Sequence, residues 1–269
     1  MINVLRRGEA DQRRLRRGMY LLPSLFTLAN MFCGYACVIF AMRGEFATAA
    51  PFIGVAVVLD LLDGRIARMT GSTSDFGREF DSLADVISFG VAPAVLGYAW
   101  GLFTLGRLGW VAGVLFVSAA AIRLARFNIQ TTTNPDKRYF VGMPSPAAAG
   151  VPAATVYLLP QGLPAGWTTF LALPLLLVPA ALMVSTIKYR SFKTFNLGQR
   201  RPASALMLFA LFLAAVVSYP QWSLVLISYT YLVSGLIGLA WSRIRPRNAD
   251  DAVPSTDPEP VASGGPHEV

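Results

Sequence analysis

The chain is poor in the residues that carry most enzymatic chemistry. Of its 269 residues, His267 is the only histidine, and it lies in a polar C-terminal stretch. A Ser-His-Asp triad and a His-ligated zinc site are therefore excluded. The two cysteines, Cys33 and Cys37, sit one turn apart in an apolar run. On one helix they lie at the edge of disulfide reach and read as packing or lipid-facing residues. Charge is scarce as well: 14% of the residues are charged, against about 25% in a soluble domain. With 54% hydrophobic residues, the shortfall points to a membrane protein. Any catalysis must then rest on carboxylates, and a hard metal ion is their natural partner.

The net charge of +8 does not indicate nucleic acid. The basic residues fall in short clusters between apolar runs, as in loops at an anionic membrane surface. A spanning helix needs about 20 mostly apolar residues. Eight such runs are read, at roughly 20–42, 46–64, 78–102, 108–127, 146–162, 168–187, 203–219 and 222–241. The expected fold is an all-α, polytopic membrane helix bundle of about eight transmembrane helices. With both termini cytoplasmic, every one of the 23 basic residues except Arg43 and Arg107 falls in an inside segment, as the positive-inside rule requires. The expected location is the cell (inner) membrane. The first run follows an Arg-rich stretch and lacks a small-residue cleavage pattern, so no cleavable signal peptide is expected.

Three regions follow. Residues 1–19 are basic with interspersed apolar residues and suit an amphipathic juxtamembrane arm. Residues 20–242 form the transmembrane catalytic domain. Residues 243–269 are expected to be a disordered cytoplasmic tail, of which 248–269 is rich in Pro, Gly, Ser and acid.

Six of the 15 acidic residues lie between positions 60 and 85. An ionisable residue in a membrane helix marks a functional site by default. Asp60 and Asp63 are spaced i, i+3, and Asp81 and Asp85 are spaced i, i+4, so each pair shares a helix face. The second helix runs toward the cytoplasm and the third returns from it, which puts both pairs at similar depth. Four facing carboxylates repel one another and call for a counter-charge. All-oxygen ligation suits Mg²⁺, Mn²⁺ or Ca²⁺. Gly64 follows Asp60 by one turn, Ala67 follows Asp63, and Gly77 precedes Asp81. Such small residues let helix backbones or a flat ligand approach closely. Asp75 and Glu79 read as solvated helix-start acids.

The pattern Asp60-x2-Asp63-Gly64-x2-Ala67-Arg68-x8-Gly77-x3-Asp81-x3-Asp85 resembles the full signature of the CDP-alcohol phosphatidyltransferase family, at every fixed position and spacing. The runs Phe80–Pro93, Arg123–Asn128, Gly142–Pro146 and Leu182–Thr186 resemble the membrane-embedded phosphatidylserine synthases of bacteria. Phosphatidylglycerophosphate synthases usually carry Lys after the last Asp, where this chain has Val86. Near Pro23 the family often has Asn where Ser24 stands here.

The resemblance implies a reaction in which the phosphatidyl group of CDP-diacylglycerol passes to L-serine and CMP is released. It implies two divalent cations, Mg²⁺ or Mn²⁺, held by Asp60, Asp63 and Asp81 with Asp85 beside them as a further ligand or as general base. Asp60, Asp63, Gly64, Ala67, Arg68, Ser72, Thr73, Gly77 and Asp81 would border the CDP moiety, with Arg68 at phosphate. The serine carboxylate needs a cation, for which Arg123, Arg126, Lys188 and Arg190 are candidates. Glycerol 3-phosphate, an inositol phosphate or choline are alternative acceptors. A cation transporter is the alternative of another class, but the acids lie near one surface and no second half echoes them. Gly109 and Gly113 form a small-xxx-small pair that fits either a homodimer face or, preferably, packing within the chain.

Overall fold

A computed structural model describes residues 24–71, 74–133, 139–162, 166–185, 188–190, 207, 210, 211, 214 and 216–244. The basic arm at 1–19 and nearly all of the tail at 243–269 lie outside the described residues. Helix α1 (Ser24–Met42) turns at Gly44, whose φ of 76° is a left-handed conformation open to glycine. Helix α2 (Phe46–Thr70) ends at Gly71, again left-handed, whose N–H donates to the Ala67 carbonyl. Ser74 then caps α3 (Asp75–Asp85), its hydroxyl accepting from the Gly77 N–H at 3.0 Å. These two caps fix the hairpin that carries all four aspartates.

The third apolar run is not one regular helix. Between α3 and α4 (Ala92–Trp100) the residues Val86–Val91 form a π-helical turn. The Ala92 N–H bonds the Ile87 carbonyl, five residues back. Pro93 supplies the cause, since it has no N–H and its ring crowds the preceding turn. A 3₁₀ turn (Leu102–Leu105) leads to α5 (Arg107–Thr133).

Helix α6 (Ser145–Leu158) is only 14 residues long and sits inside the bundle. It packs on α2, α4, α7 (Leu173–Val184) and α8 (Pro220–Ile244). Ala148, Ala149, Val151, Ala153, Ala154 and Val156 are all buried, so its neighbours approach closely, as small residues allow. A 3₁₀ segment (Trp167–Ala172) precedes α7. Among the described residues, four helical segments are long and apolar enough to cross a membrane: Ser24–Met42, Phe46–Thr70, Asp75–Trp100 and Arg107–Gln130. The fifth and sixth expected spans correspond to the shorter α6 and to Thr169–Val184.

The described fold is helical with one small exception. Strands β1 (Tyr139–Val141) and β2 (Lys188–Arg190) pair antiparallel, with Phe140 opposite Tyr189. The next link is the Met143 N–H on the Leu182 carbonyl at 3.0 Å. Between them Gly142 has φ 84°, and a Cβ there would collide with the Met183 carbonyl. Gly142→Ala therefore combines backbone strain with a clash, and is expected to destabilise by about 1–3 kcal/mol. The check is a melting temperature in detergent, several degrees below that of the parent chain.

Gly109 is accounted for within the chain. A Cβ there would collide with the Leu102 carbonyl, so its role is the close approach of α5 to the 3₁₀ turn. Cys33 and Cys37 are free, buried thiols.

Candidate active site

The α2–α3 hairpin brings the two acidic pairs together. Carboxylate oxygens of Asp60, Asp63 and Asp81 all lie within 4.8 Å of one another. Asp85 stands one turn beyond Asp81 and shares a cavity with Asp60 and Asp81. Asp63 and Asp85 are buried, at 4% and 7% exposure, while Asp60 and Asp81 are half-buried. Among the described residues the one salt bridge is Arg78 with Asp75, 2.8 Å apart on the exposed start of α3. None of the four site carboxylates is paired with a basic side chain there. Moreover, Asp81 Oδ1 is buried without a hydrogen-bond donor. Clustered carboxylate oxygens, an orphaned buried acceptor and no basic partner among the described residues are the conditions a hard divalent ion satisfies.

Toward the hairpin tip, Gly64, Ala67 and Gly77 are partly exposed and Arg68 is exposed. A Cβ on Gly64 would meet no protein atom closer than 4.0 Å, and that atom is Arg68 Nη2. Helix packing therefore does not demand glycine at this position, and the surface beside Asp60 and Asp63 stays open. The Arg68 Nε donates to the Gly64 carbonyl at 2.8 Å, which folds the guanidinium back along α2 toward the acids. Gly77 is used at least in part as the donor to the Ser74 cap. Ser72 and Thr73 lie outside the described residues. Asp75 is exposed at the first turn of α3, the helix-start position expected of it.

The other side of the cluster opens into a cavity of about 310 Å³. Its lining includes Asp60, Asp81 and Asp85, the polar groups of Arg78, Arg123 and Asn128, and Pro144 and Pro146. Of the two proposed acceptor cations whose side chains are described, Arg123 and Arg126, Arg123 is the one that lines this space. Its Nη1 donates to Ser145 Oγ at 2.8 Å, and its guanidinium sits 5.7 Å from the Phe127 ring centroid. Arg126 instead donates to the Val184 carbonyl at 3.1 Å and ties α5 to α7. Lys188 and Arg190 lie in β2; their side chains fall outside the described residues.

Sequence reasoning missed the contribution of α1. Thr27 Oγ1 donates to Asp63 Oδ2 at 3.0 Å, and Asn30 Nδ2 donates to Asp85 Oδ1 at 3.2 Å. A Thr and an Asn three residues apart in an otherwise apolar helix were the available signal. Also missed was the Asn128 Nδ2 bond to Ser82 Oγ at 2.9 Å, which joins α5 to α3 at the cavity wall.

The family model of the CDP-alcohol phosphatidyltransferases matches residues 20–187, a stretch that includes both acidic pairs and the cavity residues. The chain belongs to this family. Among its curated relatives is a CDP-diacylglycerol–serine O-phosphatidyltransferase of Helicobacter pylori, 40% identical over 220 residues, covering 81% of this chain and 91% of the relative. A protein of the same name from Mycobacterium leprae is 35% identical over 249 residues, covering 88% and 82%. An archaetidylserine synthase of Methanothermobacter thermautotrophicus is 35% identical over 171 residues, covering 62% and 69%.

Proposed function

We propose that the chain transfers the phosphatidyl group of CDP-diacylglycerol to L-serine, yielding phosphatidylserine and CMP. The observation that carries this reading is the meeting of Asp60, Asp63 and Asp81 within 4.8 Å, beside a cavity that also holds Asp85 and Arg123. The relatives named for serine transfer favour serine over glycerol 3-phosphate or an inositol phosphate. The cavity suits a small zwitterion in size and in its mixture of charges.

Asp60, Asp63 and Asp81 would hold the divalent cations, Mg²⁺ or Mn²⁺, which when bound neutralise diphosphate charge. Gly64, Ala67, Arg68 and Gly77 would border the nucleotide, with Arg68 at a phosphate oxygen. Asp85 takes the proton of the serine hydroxyl as general base. The serine oxygen forms a bond to the phosphorus that bears diacylglycerol. The bond from that phosphorus to the bridging diphosphate oxygen breaks, and CMP leaves with that oxygen.

The same reading has residues 20–242 as an eight-span catalytic domain in the cell membrane. Both termini, and the opening of the site, then face the cytoplasm. The distribution of basic residues supports this orientation. It lets the lipid tails remain in the leaflet while nucleotide and serine arrive from water.

The deciding assay is CMP release by the purified protein from CDP-diacylglycerol, with L-serine, glycerol 3-phosphate or no acceptor. Serine-dependent release supports the reading. Release with glycerol 3-phosphate alone keeps the family and overturns the acceptor. Arg123 gives a second check. As the cation facing the serine carboxylate, its replacement in Arg123→Met is expected to raise the serine KM by about 10–100-fold, the value of a hydrogen bond to a charged group. The KM for CDP-diacylglycerol should move far less.

A further inference from the structure

Helix α1 contributes no acid to the site, yet it touches two of the four. Thr27 and Asn30 are one turn apart on α1, and both are buried, Asn30 completely. Thr27 donates to Asp63 and Asn30 donates to Asp85. These partners lie 36 and 55 residues away in the chain. The face continues to Gly34, where a Cβ would fall 2.7 Å from Ser88 Cα. Ser88 Oγ in turn donates to the Asn30 carbonyl at 2.9 Å. Asn30 thus grips the acidic helix at two points, the carboxylate of Asp85 and the π-helical turn that follows it. A π turn frequently marks a functional site, and here it brings Ser88 against the α1 backbone.

The two donors do different work because their partners differ. Asp63 belongs to the trio of clustered oxygens and Asp85 does not. By binding Asp63 Oδ2, Thr27 directs the other oxygen of that carboxylate. By binding Asp85 Oδ1, Asn30 leaves Oδ2 as the oxygen free to face a hydroxyl. We propose that Thr27 and Asn30 are positioning residues with separate tasks: Thr27 orients Asp63 as a cation ligand, and Asn30 orients Asp85 as the base. This rests on the roles assigned above to Asp63 and Asp85.

The test measures Mn²⁺ binding directly, by electron paramagnetic resonance on the full chain in detergent, beside steady-state CMP release. Thr27→Val is expected to weaken Mn²⁺ binding by about tenfold or more, the usual cost of losing a partner behind a metal ligand, and Thr27→Ser to restore it. Asn30→Leu and Asn30→Ala are expected to lower kcat by about 10–100-fold, with Mn²⁺ affinity and serine KM held within about twofold of the parent chain. Ser88→Ala, which removes the second grip and leaves the amide on Asp85, should keep kcat within a few fold. The proposal is overturned if the Asn30 variants lose Mn²⁺ affinity as Thr27→Val does, or if Thr27→Val lowers kcat at saturating Mn²⁺ with its affinity for the ion unchanged. It is equally overturned if Ser88→Ala matches Asn30→Ala, because packing would then explain both. A parent chain that binds no Mn²⁺ would instead bring down the underlying assignment of the site, and the proposal with it.

Discussion

Asp85→Asn is expected to lower kcat for CMP release by about 10²–10⁴-fold, the contribution of a well-placed general base. At about 1.4 kcal/mol per decade this is roughly 3–6 kcal/mol of barrier. The substitution keeps size and shape, and the amide oxygen of the replacement can still accept from Asn30 Nδ2, which now donates to Asp85 at 3.2 Å. The fold and the α1 contact should therefore survive. What disappears is the ability to take a proton. Because Asp85 stands outside the trio of oxygens gathered within 4.8 Å, Mn²⁺ affinity should change little. Asp81→Asn makes the contrast, since Asp81 belongs to the trio and should lose metal and rate together. If Asp85→Asn also abolishes Mn²⁺ binding, Asp85 is a ligand and the base must be sought elsewhere along the cavity wall.

How much of this was legible in the sequence depends on how local the feature is. The acidic pairs follow from spacings of three and four residues on helices, and the hairpin between them is short. Their convergence was accordingly readable, and the carboxylates of Asp60, Asp63 and Asp81 do meet. The first four expected spans were readable too, since each is matched by a helical segment long and apolar enough to cross a membrane, but their ends were not: α2 runs on to Thr70 and α3 starts at Asp75, outside the expected limits of 64 and 78, because Gly71 and Ser74 set the caps. The π turn at Val86–Val91 was not, although Pro93 announced that a regular helix would be strained there. Nor was the ladder of Tyr139–Val141 with Lys188–Arg190. Three residues carry too little pattern to register as a strand, and their pairing spans the whole of α6 and α7. The largest omission was α1. Thr27 and Asn30 are unremarkable in a window of apolar residues until the bundle lays them against acids 36 and 55 positions away. Arg126 shows the converse. Its sequence position matched that of Arg123, but its guanidinium caps the end of α7 at Val184, and only Arg123 of this pair lines the cavity. A basic residue near a helix end becomes a ligand candidate only when the neighbouring helices settle which way it turns.

Removal of divalent cations is expected to have the other large effect. With EDTA in excess, serine-dependent CMP release should fall at least about 10³-fold, the several kcal/mol that cation stabilisation of phosphoryl charge supplies. Mn²⁺ or Mg²⁺ added back should restore it. The reason lies in the charges already present. Asp60, Asp63 and Asp81 are crowded together, Asp81 Oδ1 is buried without a donor, and no basic side chain among the described residues pairs with them. A diphosphate brought to this place without cations would add like charge to like charge. Substrate binding should therefore weaken along with the rate, and the CDP-diacylglycerol KM at limiting metal should rise as free Mn²⁺ falls. Binding linkage adds a stability readout, since an ion that binds only the folded chain raises its apparent stability with concentration. The melting temperature of the parent chain should climb with Mn²⁺, and that of Asp81→Asn should not. A parent chain whose melting temperature and CMP release both ignore EDTA would rule out the carboxylate trio as a metal site and leave Arg68 and Arg123 to meet the phosphate charge unaided.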